Sequence, residues 1–291
     1  MVPYSLNSGA RKPSRLSAPS FEQYRSSDYV TNETMAMPMA ACNQIIGHLD
    51  ELLNPTAYDD YGPNGLQVPG SEQIQTVVTG VSANVELFTR AREAGADLVL
   101  VHHGLFWAGP PRALDRASKR RLQLLFDADL ALAAYHLPLD GHLEVGNNAL
   151  LARAIGAGDI EPFAVHKSAT VGVRARFPDP GVAPAELVAR VQQATSREPL
   201  AFTAGPDPVR TIGIASGAGA DHLEDAIAAG LDAFVTGEPA ERSMSRAQEA
   251  EVHFLAAGHY ATETFGVKAL ATELAQRFEV PWDFLDHPTG L

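Results

Sequence analysis

The sequence predicts an α/β protein of two interlocked, pseudo-repeated α/β lobes, with mixed, mainly parallel sheets and a site between them. Three observations predict it. From Ala40 onward, short β-branched or apolar runs alternate with segments of helical period, the pattern of parallel βαβ units. A weak internal repeat pairs Thr76–His103 with Arg210–Glu238: each runs strand, helix, turn (Ala94-Gly95-Ala96-Asp97 or Ala229-Gly230-Leu231-Asp232), strand. Each half then passes through a helix and a further strand to a His-x-x-x-acid sequence, His136-Leu-Pro-Leu-Asp140 in one and His259-Tyr-Ala-Thr-Glu263 in the other.

Taken in order, residues 1–39 are rich in Ser, Pro, Asn and Arg, lack an apolar period and read as a flexible tail. Met35, Met37 and Met39 stand just before the first helix and offer later starts for the chain. Asn43–Leu53 has helical spacing and stops at Asn54-Pro55. Thr76–Val81 is a β-branched strand, Asn84–Ala94 a helix ended by Gly95, and Asp97–Val101 a buried strand. Arg116–Asp127 is helical, Leu130–Tyr135 a strand and Asn147–Ile155 helical, with Asn147 or Asn148 available as N-cap. The proline-rich stretch 161–204 reads as an excursion from the sheet, carrying a strand at Ala169–Phe177 and a helix at Ala185–Ala194. The expected division is residues 40–128 with 255–291 in lobe I and 129–254, excursion included, in lobe II.

Composition narrows the function. With 291 residues, 45% hydrophobic and 20% charged, the chain can bury a core without disulfide or metal staples. Lys+Arg 22 against Asp+Glu 35 gives −13, a field that repels nucleic-acid phosphate and anionic membrane. Cys42 is the single cysteine, so neither an internal disulfide nor a thiolate zinc site is available. No run approaches the roughly 18 apolar residues of a membrane span, and the cytoplasm is the expected compartment.

No Walker loop, H-E-x-x-H or G-x-S-x-G sequence occurs. Gly213-Ile-Ala-Ser-Gly-Ala-Gly219 lies between a strand and a helix; it is either an anion cradle or a glycine-eased turn. His102-His103-Gly104 follows an apolar strand, at the carboxyl end where α/β sheets place ligands. Neighbouring strand residues point to opposite faces, so two adjacent imidazoles suit a strand end that bends, or two ions side by side. Asp140 and Glu263 taken singly read as loop or helix-end carboxylates. Jointly, His102, His103, Asp140, His259 and Glu263 bring imidazole and carboxylate from three strand ends, a donor set for zinc, manganese, iron or nickel. Five such ligands exceed the needs of one tetrahedral ion and suit a two-metal centre.

The motifs Tyr61-Gly-Pro-Asn-Gly-Leu-Gln67, Val101-His-His-Gly-Leu-Phe-Trp107, His136-Leu-Pro-Leu-Asp140 with Gly146-Asn-Asn148, Thr236-Gly-Glu238 and Gly258-His-Tyr-Ala-Thr-Glu263 occur in this order. The chain thereby resembles the Nif-three-like dinuclear-metal-centre family, whose members carry the name GTP cyclohydrolase I type 2 homologue. The resemblance spans about residues 42–287. It implies two divalent ions per subunit on the same five residues, and a toroidal homohexamer, a trimer of dimers, with the sites facing an internal cavity. His136 then falls to a supporting or substrate-facing place, and the loop of Asn64 and Gly65 borders the site. The function expected is a metal-dependent hydrolase acting on a small molecule of unknown identity, with Glu238 or His136 as proton-shuttling candidates. The alternative is a non-catalytic metal-binding scaffold, metal chaperone or regulatory protein.

Overall fold

The computed structural model describes residues 39–108 and 113–291, so the expected tail lies outside the described residues apart from Met39. The β-branched runs become the strands of two sheets, numbered here in chain order. In the first sheet β4 (Val77–Ser82), β5 (Leu98–His103) and β6 (Ala131–Ala134) are parallel. β13 (Trp282–Phe284) adds a parallel edge beside β4, and β2 (Gly65–Val68) an antiparallel edge beside β6. β1 (Ala40–Ala41) and β3 (Gln73–Ile74) form a separate small ribbon. In the second sheet β10 (Thr211–Ala215), β11 (Ala233–Thr236) and β12 (His253–Ala256) are parallel. The hairpin of β7 (Gly158–His166) and β8 (Ala169–Arg176) extends it antiparallel beyond β10, and β9 (Leu200–Phe202) closes the edge beyond β12.

Both sheets are covered on each face by helices, which is why their central strands are continuously apolar rather than alternating. α1 (Cys42–Leu53) and α10 (Thr264–Phe278) bury Ile45, Leu49, Val267, Leu270 and Leu274 against Leu98 and Leu100 of the first sheet. α2 (Val85–Glu93) and α3 (Arg116–Asp127) cover its other face. On the second sheet, α5 (Asn147–Ala154) and α6 (Pro184–Thr195) cover one face, α7 (Leu223–Ala228) and α8 (Ser243–Glu249) the other. Two short helices stand at strand ends, α4 (Leu137–Gly141) after β6 and α9 (His259–Thr262) after β12. Leu100 has no exposed surface. Leu100→Ala is expected to cost about 2–5 kcal/mol, the range for emptying a packed leucine site, read as a lowered urea midpoint at unchanged slope.

The repeat seen in the sequence is a structural repeat. Gly95 and Gly230 take φ of 70° and 66° where the helix turns back toward the sheet. Asp97 Oδ2 then accepts the N–H groups of Gln75 and Thr76 at 2.8 and 3.0 Å, and Asp232 Oδ2 those of Arg210 and Thr211 at 2.8 and 2.9 Å. In both lobes an aspartate ahead of the second strand clips the chain entering the first.

Three expectations are corrected. Residues 161–204 are no excursion: they supply most of the β7–β8 hairpin at one edge of the second sheet and β9 at the other. The sheets divide the chain differently from the expected 128/129 and 254/255 cuts, because β6 pairs with β5 in the first sheet and β12 stays whole in the second. Gly146, not an asparagine, is the N-cap of α5; Asn147 and Asn148 lie buried in its first turn and bond elsewhere.

Candidate metal centre

The carboxyl ends of the parallel strands of both sheets bring the expected side chains together. β5 runs through His103, because Ser82 still pairs with it in register, so His102 and His103 belong to the strand rather than to the loop after it. His102 is fully buried and His103 partly exposed. Pro138 sits in the first turn of α4, which carries Asp140 back toward the strand ends. α9 starts at His259, so His259 and Glu263 lie four residues apart on the same side of that turn.

Glu263 stands at the middle of the cluster. Its Oε1 lies 3.6 Å from His102 Nε2, and its Oε2 lies 3.2 Å from His103 Nε2 and 3.3 Å from His259 Nε2. Asp140 Oδ2 is 3.5 Å from the same His102 Nε2. These atoms form two overlapping sets, His102–Asp140–Glu263 and His103–His259–Glu263, each with its potential ligand atoms within 4.8 Å of one another. A third set joins His102, His103 and His136. His102 Nε2 and Glu263 Oε2 are buried without a hydrogen bond in the protein, an expensive arrangement unless something else satisfies them. A divalent cation held among them would do so.

Each imidazole is oriented from behind. His102 Nδ1 bonds the Tyr135 carbonyl at 2.9 Å, His103 Nδ1 meets Ser82 Oγ at 3.0 Å and His259 Nδ1 meets Glu238 Oε1 at 2.5 Å. Binding the rear nitrogen in this way aims the other lone pair inward, as in histidine metal ligands generally. Asp140 Oδ1 accepts from Asn147 Nδ2 at 2.9 Å and from Ser216 Oγ at 3.0 Å, leaving Oδ2 for the centre.

The charges are strongly coupled. Burial disfavours a charged His102, but Asp140 and Glu263 outweigh it and push the group up to about 9. Burial likewise opposes charge on His259, and Glu263 with Glu238 raises it to about 9. His103 moves the other way, to about 3, through burial and the neighbouring imidazoles. Burial would lift Glu263, yet His102 and His259 hold it well below the carboxylate range; Asp140 is raised by burial and by Glu263. The cluster is thus an acidic, desolvated cage that draws positive charge.

It opens onto a cavity of about 530 Å³, walled in part by Tyr61, Trp107, His136, His166 and His222. The glycine segment 213–219 lines it as a turn, with the Ser216 and Gly217 N–H groups donated to Asn148 Oδ1 and Thr262 Oγ1 rather than held for an anion. Glu238, expected as a proton shuttle, is engaged with the rear nitrogen of His259. Asn64 accepts the His136 N–H at 2.7 Å and so borders the site, whereas Gly65 begins β2. Sequence reasoning missed Asp60, Ser82, Asn147 and Ser216 as supports. Asp60 adjoins the motif Tyr61–Gln67, and Asn147 and Ser216 lie inside segments already singled out, but the bonds that make Asp60, Ser82 and Ser216 supports span 76, 21 and 76 residues.

Fold and site together define a two-lobed α/β protein with an imidazole–carboxylate cluster, able to hold metal, between the strand ends of its sheets. The chain matches the family Duf34/NIF3 (NGG1p interacting factor 3) over residues 40–289, and it belongs to that family. A Pseudomonas aeruginosa relative named GTP cyclohydrolase 1 type 2 homolog is 42% identical over 251 residues, covering 85% of this chain and 98% of the relative. The solved Thermus thermophilus protein TTHA1606 superposes with a TM-score of 0.79 at 41% identity, over 87% of this chain and 100% of that one. A second solved structure, protein ybgI of unknown function, gives 0.81 at 36% identity with the same coverages. No helix among the described residues is long and apolar enough to cross a membrane.

Proposed function

We propose that the protein is a metal-dependent hydrolase with a dinuclear centre held by His102, His103, Asp140, His259 and Glu263. The observation that supports it most is the buried Glu263 carboxylate, whose Oε1 faces His102 while Oε2 faces His103 and His259. One carboxylate serving two ligand sets is the arrangement of a bridge. Imidazole and carboxylate without thiolate favour zinc, manganese, iron or nickel. Such a pair, when bound, brings the pKa of a water toward neutrality and polarises an electrophilic centre.

The chain's own residues hold that chemistry in place. Asn147 and Ser216 fix Asp140, Glu238 fixes His259, and Ser82 fixes His103. Tyr61 and Trp107 offer aromatic walls for a planar or apolar part of a substrate. Neither Lys nor Arg is among the described residues lining the cavity, so a phosphate group would depend on the centre itself for positive charge. The relatives' name makes ring opening of GTP one reaction to assay, beside phosphoesters and cyclic amides. We further propose a cytoplasmic homohexamer, a trimer of dimers, as the family resemblance implies.

The test is metal analysis of protein purified without a His-tag, followed by turnover of the substrate panel. Two ions per chain, and an activity lost in Asp140→Ala with the assembly intact, are expected. A wild type saturating at one ion sinks the dinuclear reading, and a loaded but inert wild type leaves a metal scaffold instead. Metal uptake should also release protons. His102 and His259, at about 9 in the metal-free protein, carry protons at pH 7 and must give up a lone pair to an ion. Affinity therefore rises with pH up to about 9, about tenfold per pH unit for each proton displaced. Calorimetry in buffers of different ionisation enthalpy reads this directly, and a flat profile between pH 7 and 9 contradicts it.

A further inference from the structure

One imidazole at the strand ends has the orientation of a ligand but no place among the five. His136 Nδ1 bonds Asp60 Oδ1 at 2.7 Å, and the Asp60 side chain is 3% exposed. The two Asp60 oxygens also accept from the Tyr61 N–H, Asn64 Nδ2 and the Leu137 N–H, at 2.6, 2.9 and 2.9 Å. So densely bonded a carboxylate only accepts, so Nδ1 of His136 donates to it and Nε2 is the ring nitrogen left to face a ligand. The His136 ring centroid lies 5.0 Å from that of His102 and 5.6 Å from that of His103.

The internal repeat supplies a second, independent argument. His136 follows β6 as His259 follows β12, each four residues ahead of an acid of the cluster. Both have Nδ1 clamped by a buried or half-buried carboxylate, Asp60 for one and Glu238 for the other. By position and by rear-side bonding, His136 is the counterpart of a ligand. The set it completes, His102–His103–His136, holds its donor atoms within 4.8 Å and carries no carboxylate. His102 and His103 are shared with the two carboxylate-containing sets, so the all-imidazole position and the completed pair exclude each other.

We propose that His136 is a metal ligand of a single-ion state: an incoming divalent cation is first held by His102, His103 and His136 at the cavity side. It passes into the Glu263 sets by trading His136 for carboxylate oxygen. The inference rests on the metal reading of the cluster. Three imidazole nitrogens favour borderline ions such as zinc and copper(II) over magnesium or calcium.

The experiment loads metal-free protein with one equivalent of copper(II) and counts coordinated imidazoles by pulsed EPR. Three are expected in the wild type and two in His136→Ala, with first-ion affinity lowered about 10–100-fold in Asp60→Asn, the usual loss for an orienting partner. Two imidazoles in the wild type, or a His136→Ala count equal to the wild type, overturns the proposal. Because the wild-type count decides by itself, a variant that fails to fold costs nothing. Zinc stoichiometry at saturation tells the two readings apart. Saturation at two ions with only two imidazoles at one equivalent removes the role of His136 and keeps the dinuclear centre. Saturation at one ion with three imidazoles does the reverse.

Discussion

Glu263→Gln is expected to leave the chain folded and take its metal away. Glu263 is the one group facing every other member of both sets, and its side chain is 3% exposed, so no water replaces the lost charge. Losing a mere orienting partner lowers metal affinity about 10–100-fold; losing the shared carboxylate should cost more than about 100-fold at both positions. On the proposed dinuclear reading, metal content should fall from two ions per chain to well below one after dialysis, and any turnover with it. The amide keeps the shape of the side chain, so the far-UV circular dichroism should not change. A variant that retains both ions refutes the bridging role, and one that retains a single ion shows that Glu263 serves only one set.

Gly217→Ala is expected to have nearly as large an effect without replacing a ligand. Gly217 has φ of 59°, and a Cβ built there would overlap Glu263 Oε1 and lie 3.1 Å from His259 Nε2. The left-handed backbone costs a non-glycine residue about 1–3 kcal/mol, and the methyl displaces the carboxylate from the centre. Lower thermal stability and loss of metal should appear together. Gly47→Ala is the control: it lies in α1 with nothing within 4 Å of a new Cβ, and should stabilise by about 0.5–1 kcal/mol. Normal metal content in Gly217→Ala means that the turn yields and the cluster is softer than its packing implies.

Much of this is legible in the sequence, for reasons that differ by residue. His102, His103, Asp140, His259 and Glu263 follow apolar strands, and parallel sheets send the ends of such strands to one side. The lobes are legible because Asp97 and Asp232 sit at the same point of the same unit. What escapes depends on tertiary approach. Asp60 reaches His136 across 76 residues, and Asn147 holds both Asp140 and the Gly266 N–H through bonds that no spacing announces. β7 escapes for a local reason: it is an edge strand with Pro162 and with positive φ at Asp159 and Ala164, so its alternation is broken. β5 ends two residues beyond its expected end because a pair of histidines carries no strand signal, although the backbone ladder runs on through them.

Glu263 belongs by position to the second lobe, yet α10 begins at the next residue and sinks Val267, Leu270 and Leu274 into the core of the first. The carboxylate is therefore tethered to one half of the molecule while His259 is anchored in the other. A shift of one half relative to the other would change the distances between that oxygen pair and the imidazoles. Methyl-sized vacancies under the first sheet, such as Val267→Ala, should accordingly detune the cluster from beyond its boundary, coupling oil-like packing to coordination chemistry along a single rigid rod.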